Sequence, residues 1–329
     1  MKAIKWIKKI LLGIFILMCS MLIIGVIYEY VSRLKGEKII PDGQFADIGG
    51  HKLHYLKQGE SGPTIVFEAA FDPTGHLQWH NLQNEVSKFA TTISYDRAGI
   101  LWSERGNNPK SGEKMAEELY LLLEKINAPK PYILVGHSLG GMLIRFYMDQ
   151  YPKEVAGIIL IDSECPNDED YLSPELYAMV SQGLPEGFLK FANSVGLARL
   201  IYKDMFPDTK EYEYQNTVMP ALLHKSAYGI LEEGKQDSFI KKEAKKIKNF
   251  GNTPLYVLSA IDENRFDQFI KDSTLNTEMV NAWNKMQRDM LKLSTNSKQI
   301  LVPNSSHYIN QDQPTVIEDA IKNMVNELE

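Results

Sequence analysis

Six short apolar runs constrain the fold most: TIVFEAA at 64–70, TTISY at 91–95, YILVG at 132–136, AGIILI at 156–161, LYVLS at 255–259 and QILV at 299–302. Each is rich in β-branched residues and bounded by turn formers, the pattern of a strand buried on both faces. Between them lie longer amphipathic stretches, about 77–89, 112–126, 139–150, 277–293 and 313–328. Strand–helix alternation predicts right-handed βαβ units, hence an α/β fold with a doubly wound, mostly parallel sheet covered by helices. Segments 43–49 and 52–57, joined by Gly49-Gly50, predict an antiparallel hairpin at the sheet edge.

One interval breaks the rhythm. About ninety residues between Asp162 and Pro254 have helical texture and many aromatics and methionines, among them Tyr171, Tyr177, Phe188, Phe191 and Phe206. A structureless loop of that length is implausible in a compact domain. The expectation is a helical cap or lid at 163–250, inserted into a core formed by 45–162 and 251–329. An apolar cap of this kind is expected to shape a substrate pocket. The basic cluster KKEAKKIK at 241–248 reads as a solvated helix face.

With 44% apolar and 24% charged residues, the chain has ordinary globular composition, which excludes disordered and collagen-like classes. Its net charge of −6 argues against nucleic acid as a partner, because phosphate binding needs a basic face. The 2 cysteines, Cys19 and Cys165, supply neither a disulfide framework nor a CxxC pair.

That charge is unevenly spread. Residues 1–9 carry four lysines and no acid, and residues 10–28, ILLGIFILMCSMLIIGVIY, carry no charge. Removing those four lysines from the net −6 leaves −10 on the remainder. Nineteen residues of helix span roughly 28 Å, close to the ~30 Å hydrocarbon core of a bilayer. The expectation is a cytoplasmic basic tail at 1–9, a transmembrane helix at 10–28 and a short linker at 29–44. Lys2, Lys5, Lys8 and Lys9 keep the N-terminus cytoplasmic, so the rest of this single-pass cell-membrane protein lies outside. Trp6, Tyr28 and Tyr30 fall where interfacial aromatics are expected. A cleaved signal peptide, leaving a secreted protein, is the alternative; the run is long for one and lacks a small-x-small site. Lipid modification of Cys19 is disfavoured by Met18, where a small residue is wanted.

Gly136-His137-Ser138-Leu139-Gly140 follows the strand YILV and opens a helix, the setting that gives a G-x-S-x-G elbow its meaning. A glycine turn without chemistry is the bland alternative. Such a turn lifts Ser138 Oγ clear of the sheet, and the helix start offers N–H donors to a developing oxyanion. Of the 7 histidines, His307 is best placed to be the base. It follows the last strand and precedes the final helix, where ligand-facing loops of such sheets lie. His137 belongs to the elbow, His51 and His54 to the hairpin, and His76, His80 and His224 to loop or helix contexts. The orienting acid is Asp162, ending one strand, or Asp262, three residues beyond another; spacing does not choose between them. Leu139 and Phe71 are the expected oxyanion-hole donors, the latter from the loop Ala69-Ala70-Phe71-Asp72.

Together, GHSLGG at 136–141, YDRAG with Trp102-Ser103 at 95–103, LIDS at 160–163 and HYINQDQP at 307–314 resemble the α/β-hydrolase superfamily over about residues 45–328. The resemblance implies a serine hydrolase with Asp96 and Arg97 bracing the sheet. It differs at Ala69-Ala70, where many members have His-Gly, at Leu101 and at Ser306, where glycine is usual. Members commonly place the acid after the penultimate strand, as Asp262 stands, but FEAAF…YDRAG…LIDS resembles a subgroup with it where Asp162 stands. The resemblance therefore slightly favours Asp162. GILEEGK at 229–235 matches the P-loop spacing only superficially: Gln236 replaces Ser/Thr, no strand precedes it, and flanking acids would repel phosphate. No metal or organic cofactor is implied.

The sequence thus points to a membrane-anchored serine hydrolase acting through an acyl-enzyme on a small-molecule ester or acyl substrate, lipid-like esters included. Peptidase, thioesterase and C–C hydrolase activities on the same triad are alternatives. So is a non-catalytic ligand-binding or signalling protein on this fold.

Overall fold

The computed structural model describes residues 2–183, 185–267 and 269–328. Among them, eight strands form one sheet: β1 Gln44–Asp47, β2 Lys52–Gln58, β3 Thr64–Glu68, β4 Thr91–Tyr95, β5 Tyr132–His137, β6 Val155–Ile161, β7 Leu255–Ala260 and β8 Ser297–Val302. Their order is β1-β2-β4-β3-β5-β6-β7-β8. The β1–β2 and β2–β4 pairs are antiparallel, and every pair from β4 to β8 is parallel. From β3 the chain steps outward to β4, then crosses back over β3 to β5 and continues the other way. The loops leaving β3 and β5 therefore part in opposite senses, and a crevice opens beyond their carboxyl ends.

The helices are α1 Lys2–Gly36, α2 His80–Val86, α3 Gly112–Lys125, α4 Leu139–Gln150, α5 Pro174–Ser181, α6 Glu186–Ser194, α7 Leu197–Ile201, α8 Glu213–Ala244, α9 Ser273–Asp289, α10 Ile309–Asp312 and α11 Pro314–Leu328. Alternation within the strands assigns the two faces. Val66, Leu134, Leu160 and Val257 pack under α3, α4 and α9 against Leu122, Phe146 and Met286. Ile65, Phe67, Ile133, Val135 and Ile159 pack on the other face against Trp79 and Leu82 beside α2, and Ile321 and Met324 of α11. Every residue of β3, β4 and β5 is buried, which is why those strands read as continuous apolar runs.

The chain divides into two compact units, Pro41–Gly183 with Tyr228–Glu329, and Met1–Ile40 with Leu184–Ala227. This differs from the expected cap at 163–250. Residues 163–183 and 228–250 belong with the sheet, because Cys165, Leu172, Leu176, Ile240 and Ala244 are part of its core. The cluster at 241–248 is likewise more than a solvated face. Lys241 Nζ lies 3.0 Å from Glu164 and 3.1 Å from Asp168, and Lys245 pairs with Glu169.

In the other unit α1 runs unbroken to Gly36, so residues 29–36 of the expected linker are helical. Side-chain pairing explains the continuation: Arg33 Nε donates to Glu29 Oε1 at 2.7 Å, one helical turn away. Among the described residues α1 alone is long and apolar enough to cross a membrane. Cys19 and Cys165 are both free.

Candidate active site

Ser138 sits between β5 and α4 with φ 52° and ψ −120°, a conformation that a serine rarely adopts. Neighbouring backbone forces the sharpness of the turn. A Cβ on Gly136 would lie 2.7 Å from Gly140 C and Gly141 N, and one on Gly140 would press on the carbonyls of Glu68 and Ala69. Glycine at 140 thus lets the start of α4 close on the end of β3, bringing Leu139 beside the Ala69–Phe71 loop. Phe71 is exposed at its tip.

His307, between β8 and α10, presents Nδ1 at 2.7 Å from Asp162 Oδ2. Asp162 follows β6, is fully buried and has φ 40°. Its Oδ1 accepts from the Ala260 N–H at 3.2 Å, which fixes the carboxylate between β6 and β7. Asp262 makes a different local structure. Its Oδ1 accepts the Asn264 N–H at 2.8 Å and its carbonyl accepts from Arg265 at 2.7 Å, a turn that occupies the residue. The structure therefore brings His307 to Asp162.

A network that sequence reasoning missed joins these loops. Gln78 Oε1 accepts the Ala70 N–H at 2.9 Å, and Gln78 Nε2 lies 2.7 Å from His137 Nδ1. His137 Nε2 lies 2.8 Å from the His307 carbonyl, so Nε2 carries the proton and Nδ1 accepts from Gln78. Burial and the neighbouring His307 hold the His137 pKa well below the usual histidine range, consistent with this neutral form. One buried glutamine thus links the Ala69–Phe71 loop to the elbow, and the elbow histidine links to the loop of His307.

Beneath the Ala69–Phe71 loop Arg97 donates to the Ala69 and Ala70 carbonyls, both at 2.7 Å. The guanidinium is held at 2.8 and 2.9 Å by both oxygens of Glu233 from α8, and at 2.9 Å by Glu68 of β3. Tyr95 Oη donates to the second Glu68 oxygen at 2.6 Å. The two carboxylates outweigh the cost of burying Arg97 and raise its pKa, while burial pushes Glu68 up. Glu233 lies inside the stretch that mimics a P-loop, so its spacing gave no sign of this role. Glu233→Ala is expected to lower unfolding free energy by about 3 kcal/mol, read by denaturant titration, because a buried charge loses its bidentate partner.

Asp96 makes a second brace. Its carboxylate accepts from His54 Nδ1 at 2.9 Å and from His76 Nδ1 at 2.8 Å, and Asp42 lies 3.2 Å from His76 Nε2. Donor atoms of His54, His76 and Asp96 lie within 4.8 Å of one another, the spacing a metal ion would need. Both Asp96 oxygens already serve the histidines, and a proton on His76 balances this charge. Burial lowers the His76 pKa, but Asp96 and Asp42 overcome it and raise it to about 9. A histidine raised on folding contributes stability below its unfolded pKa of ~6.5 and loses it as pH climbs through about 9. The unfolding free energy, read by denaturant titration, should therefore fall between those pH values by an amount on the order of 2 kcal/mol. Asp42→Asn should flatten the decline; an equal slope in both proteins would refute the assignment.

Beside His307 a cleft of about 120 Å³ is walled by Phe266, Phe269, Trp283 and Tyr308, with buried Arg265 at its edge. Trp283 meets the His307 ring edge-on, with centroids 5.6 Å apart. This aromatic wall comes from the β7–α9 segment, α9 and the β8–α10 loop, outside the interval expected to supply the pocket.

A serine on a strained strand–helix turn at a sheet switch point, with a histidine paired to a buried aspartate on the loops beyond β8 and β6, fits the fold of a hydrolase. The chain belongs to the alpha/beta hydrolase fold family, whose model matches residues 63–314. It is 26% identical over 275 residues to the uncharacterized protein YqjL of Bacillus subtilis (strain 168), covering 82% of this chain and 86% of that protein. It also superposes on the epoxide hydrolase CorEH with TM-score 0.64 at 15% identity, covering 87% of this chain and 99% of that one. A thermophilic esterase from Thermogutta terrifontis matches with TM-score 0.59 at 15% identity, covering 88% and 99%. At such identities the two structures establish the fold alone.

Proposed function

We propose that this alpha/beta hydrolase is a membrane-anchored serine esterase. The observation that carries the reading is the 2.7 Å contact between His307 Nδ1 and the buried Asp162 carboxylate, on a loop tied through His137 to the Ser138 elbow. In this mechanism Asp162 holds the imidazole with its proton on Nδ1, leaving Nε2 to accept the proton of Ser138 Oγ. The serine oxygen adds to the ester carbonyl, and the oxyanion takes hydrogen bonds from the Leu139 and Phe71 backbone N–H groups. His307 then returns the proton to the leaving alcohol as the C–O bond breaks, giving the acyl-enzyme. A water, deprotonated by His307, adds to the acyl carbon; the bond to Ser138 Oγ then breaks as His307 returns the proton to the serine, and the carboxylic acid leaves.

A serine rather than a carboxylate at position 138 favours ester over epoxide opening, which proceeds through an elbow carboxylate. The aromatic wall beside His307 favours an apolar acyl or alkyl group. No metal or organic cofactor takes part in these steps. Fluorophosphonate labelling of the purified full chain tests the reading: covalent label on Ser138 is expected, and folded protein that stays unlabelled overturns it. The anchor reading assigns α1 to the membrane with the basic tail in the cytoplasm and the hydrolase body outside. A C-terminal reporter that is active only outside the cytoplasm is the expected result, and cytoplasmic activity reverses the topology.

A further inference from the structure

The uncharged run of α1 ends at Tyr28, yet packing within its unit begins before that point. A Cβ on Gly25 would lie 2.5 Å from the Val195 carbonyl, and one on Gly196 would lie 2.7 Å from the Tyr28 ring. The corner between α6 and α7 therefore touches α1 at residues 25 to 28. Gly25 stands three residues inside the run, about 4–5 Å along a helix rising 1.5 Å per residue. If α1 spans the bilayer, that corner lies where headgroups meet acyl chains, a layer that suits apolar and aromatic side chains.

The residues around the corner match that depth. Phe188 and Phe191 on α6 are 41% and 47% exposed, and Leu200 and Ile201 on α7 are 58% and 52% exposed. Four large apolar side chains are thus open on two short consecutive helices beside the end of the uncharged run, as a lipid-contacting surface requires. A second observation concerns charge. Glu29 is the first ionisable residue after the run and would stand at the membrane boundary. It is instead buried, with its carboxylate held by Arg199 Nε at 2.5 Å, Arg199 Nη2 at 3.0 Å and Arg33 Nε at 2.7 Å. Arg199 belongs to α7, so the same helix that exposes Leu200 and Ile201 neutralises the charge nearest the lipid.

We propose that α6 and α7 form a lipid-docking surface, inserting Phe188, Phe191, Leu200 and Ile201 into the interfacial layer of the bilayer that α1 crosses. The inference rests on the anchor reading of α1 and goes beyond it: the lipid contact extends from one helix to part of the cap interval.

The test uses the full chain carrying Cys19→Ser and Cys165→Ser, with an environment-sensitive fluorophore on one introduced cysteine at a time. The positions are Phe188→Cys, Phe191→Cys, Leu200→Cys and Ile201→Cys, with Leu17→Cys within the span and Asp208→Cys as the exposed control. Each protein is placed in phosphatidylcholine–phosphatidylglycerol vesicles containing lipid-bound quenchers at carbonyl depth or at mid-chain depth. Expected results are blue-shifted emission and quenching at carbonyl depth for the four cap positions, quenching at mid-chain depth for position 17, and water-like, unquenched emission for position 208. Water-like, unquenched emission at the four cap positions with position 17 quenched overturns the docking and leaves the anchor. An unquenched position 17 overturns the anchor and the docking with it. Four independent positions keep the result readable if one variant folds poorly.

Discussion

Asp162→Asn is expected to lower ester turnover by about 10⁴-fold while the protein stays folded, whereas Asp262→Asn should cost less than about tenfold. The amide keeps the size of the carboxylate but presents a donor where His307 Nδ1–H needs an acceptor, 2.7 Å away. The imidazole then turns or takes the other tautomer, and its Nε2 no longer accepts the serine proton. Asp262 spends its carboxylate on the Asn264 N–H at 2.8 Å, so Asn can replace that oxygen with its own carbonyl. Steady-state rates with a p-nitrophenyl ester, alongside circular dichroism, measure both variants. A large loss at Asp262 with Asp162→Asn unaffected would reverse the assignment, and equal losses would deny either residue a distinct part.

Ser138→Ala should abolish fluorophosphonate labelling and reduce turnover by at least about 10⁴-fold, with stability unchanged or improved. The residue holds φ 52° and ψ −120°, so alanine inherits the strained turn but not the nucleophile. Adding Asp162→Asn to Ser138→Ala should bring little further loss, because base and acid act only through the serine. A double variant whose losses multiply would mean that Asp162 acts on turnover by another route. Residual label on folded Ser138→Ala would place the nucleophile elsewhere.

Much of the fold was legible because its signals are local. The strand at 91–95 was expected within the same bounds, since β-branched residues and flanking turns mark a doubly buried strand without reference to its neighbours. The elbow was legible for the same reason: strand, Gly-x-Ser-x-Gly and helix follow one another in the chain. The limits of the inserted segment were not. Helical texture reads alike in residues 184–227 and 228–244, and only contact with the sheet assigns Ile240 and Ala244 to the core. The end of the apolar N-terminal helix was obscured for a related reason. Glu29 and Arg33 look like linker charges until Arg199, distant in sequence, buries the glutamate.

The sequence by itself determined the class of fold, the strained serine, the histidine loop and the apolar helix, because each is written in a contiguous run of residues. Tertiary structure decided which aspartate meets His307, since that depends on β6 lying next to β5 and on a carboxylate position good to a fraction of an ångström. It also decided the partners of Arg97 and the Gln78–His137 link. A buried charge or amide takes whichever donors and acceptors folding brings to it, and 136 residues separate Arg97 from Glu233.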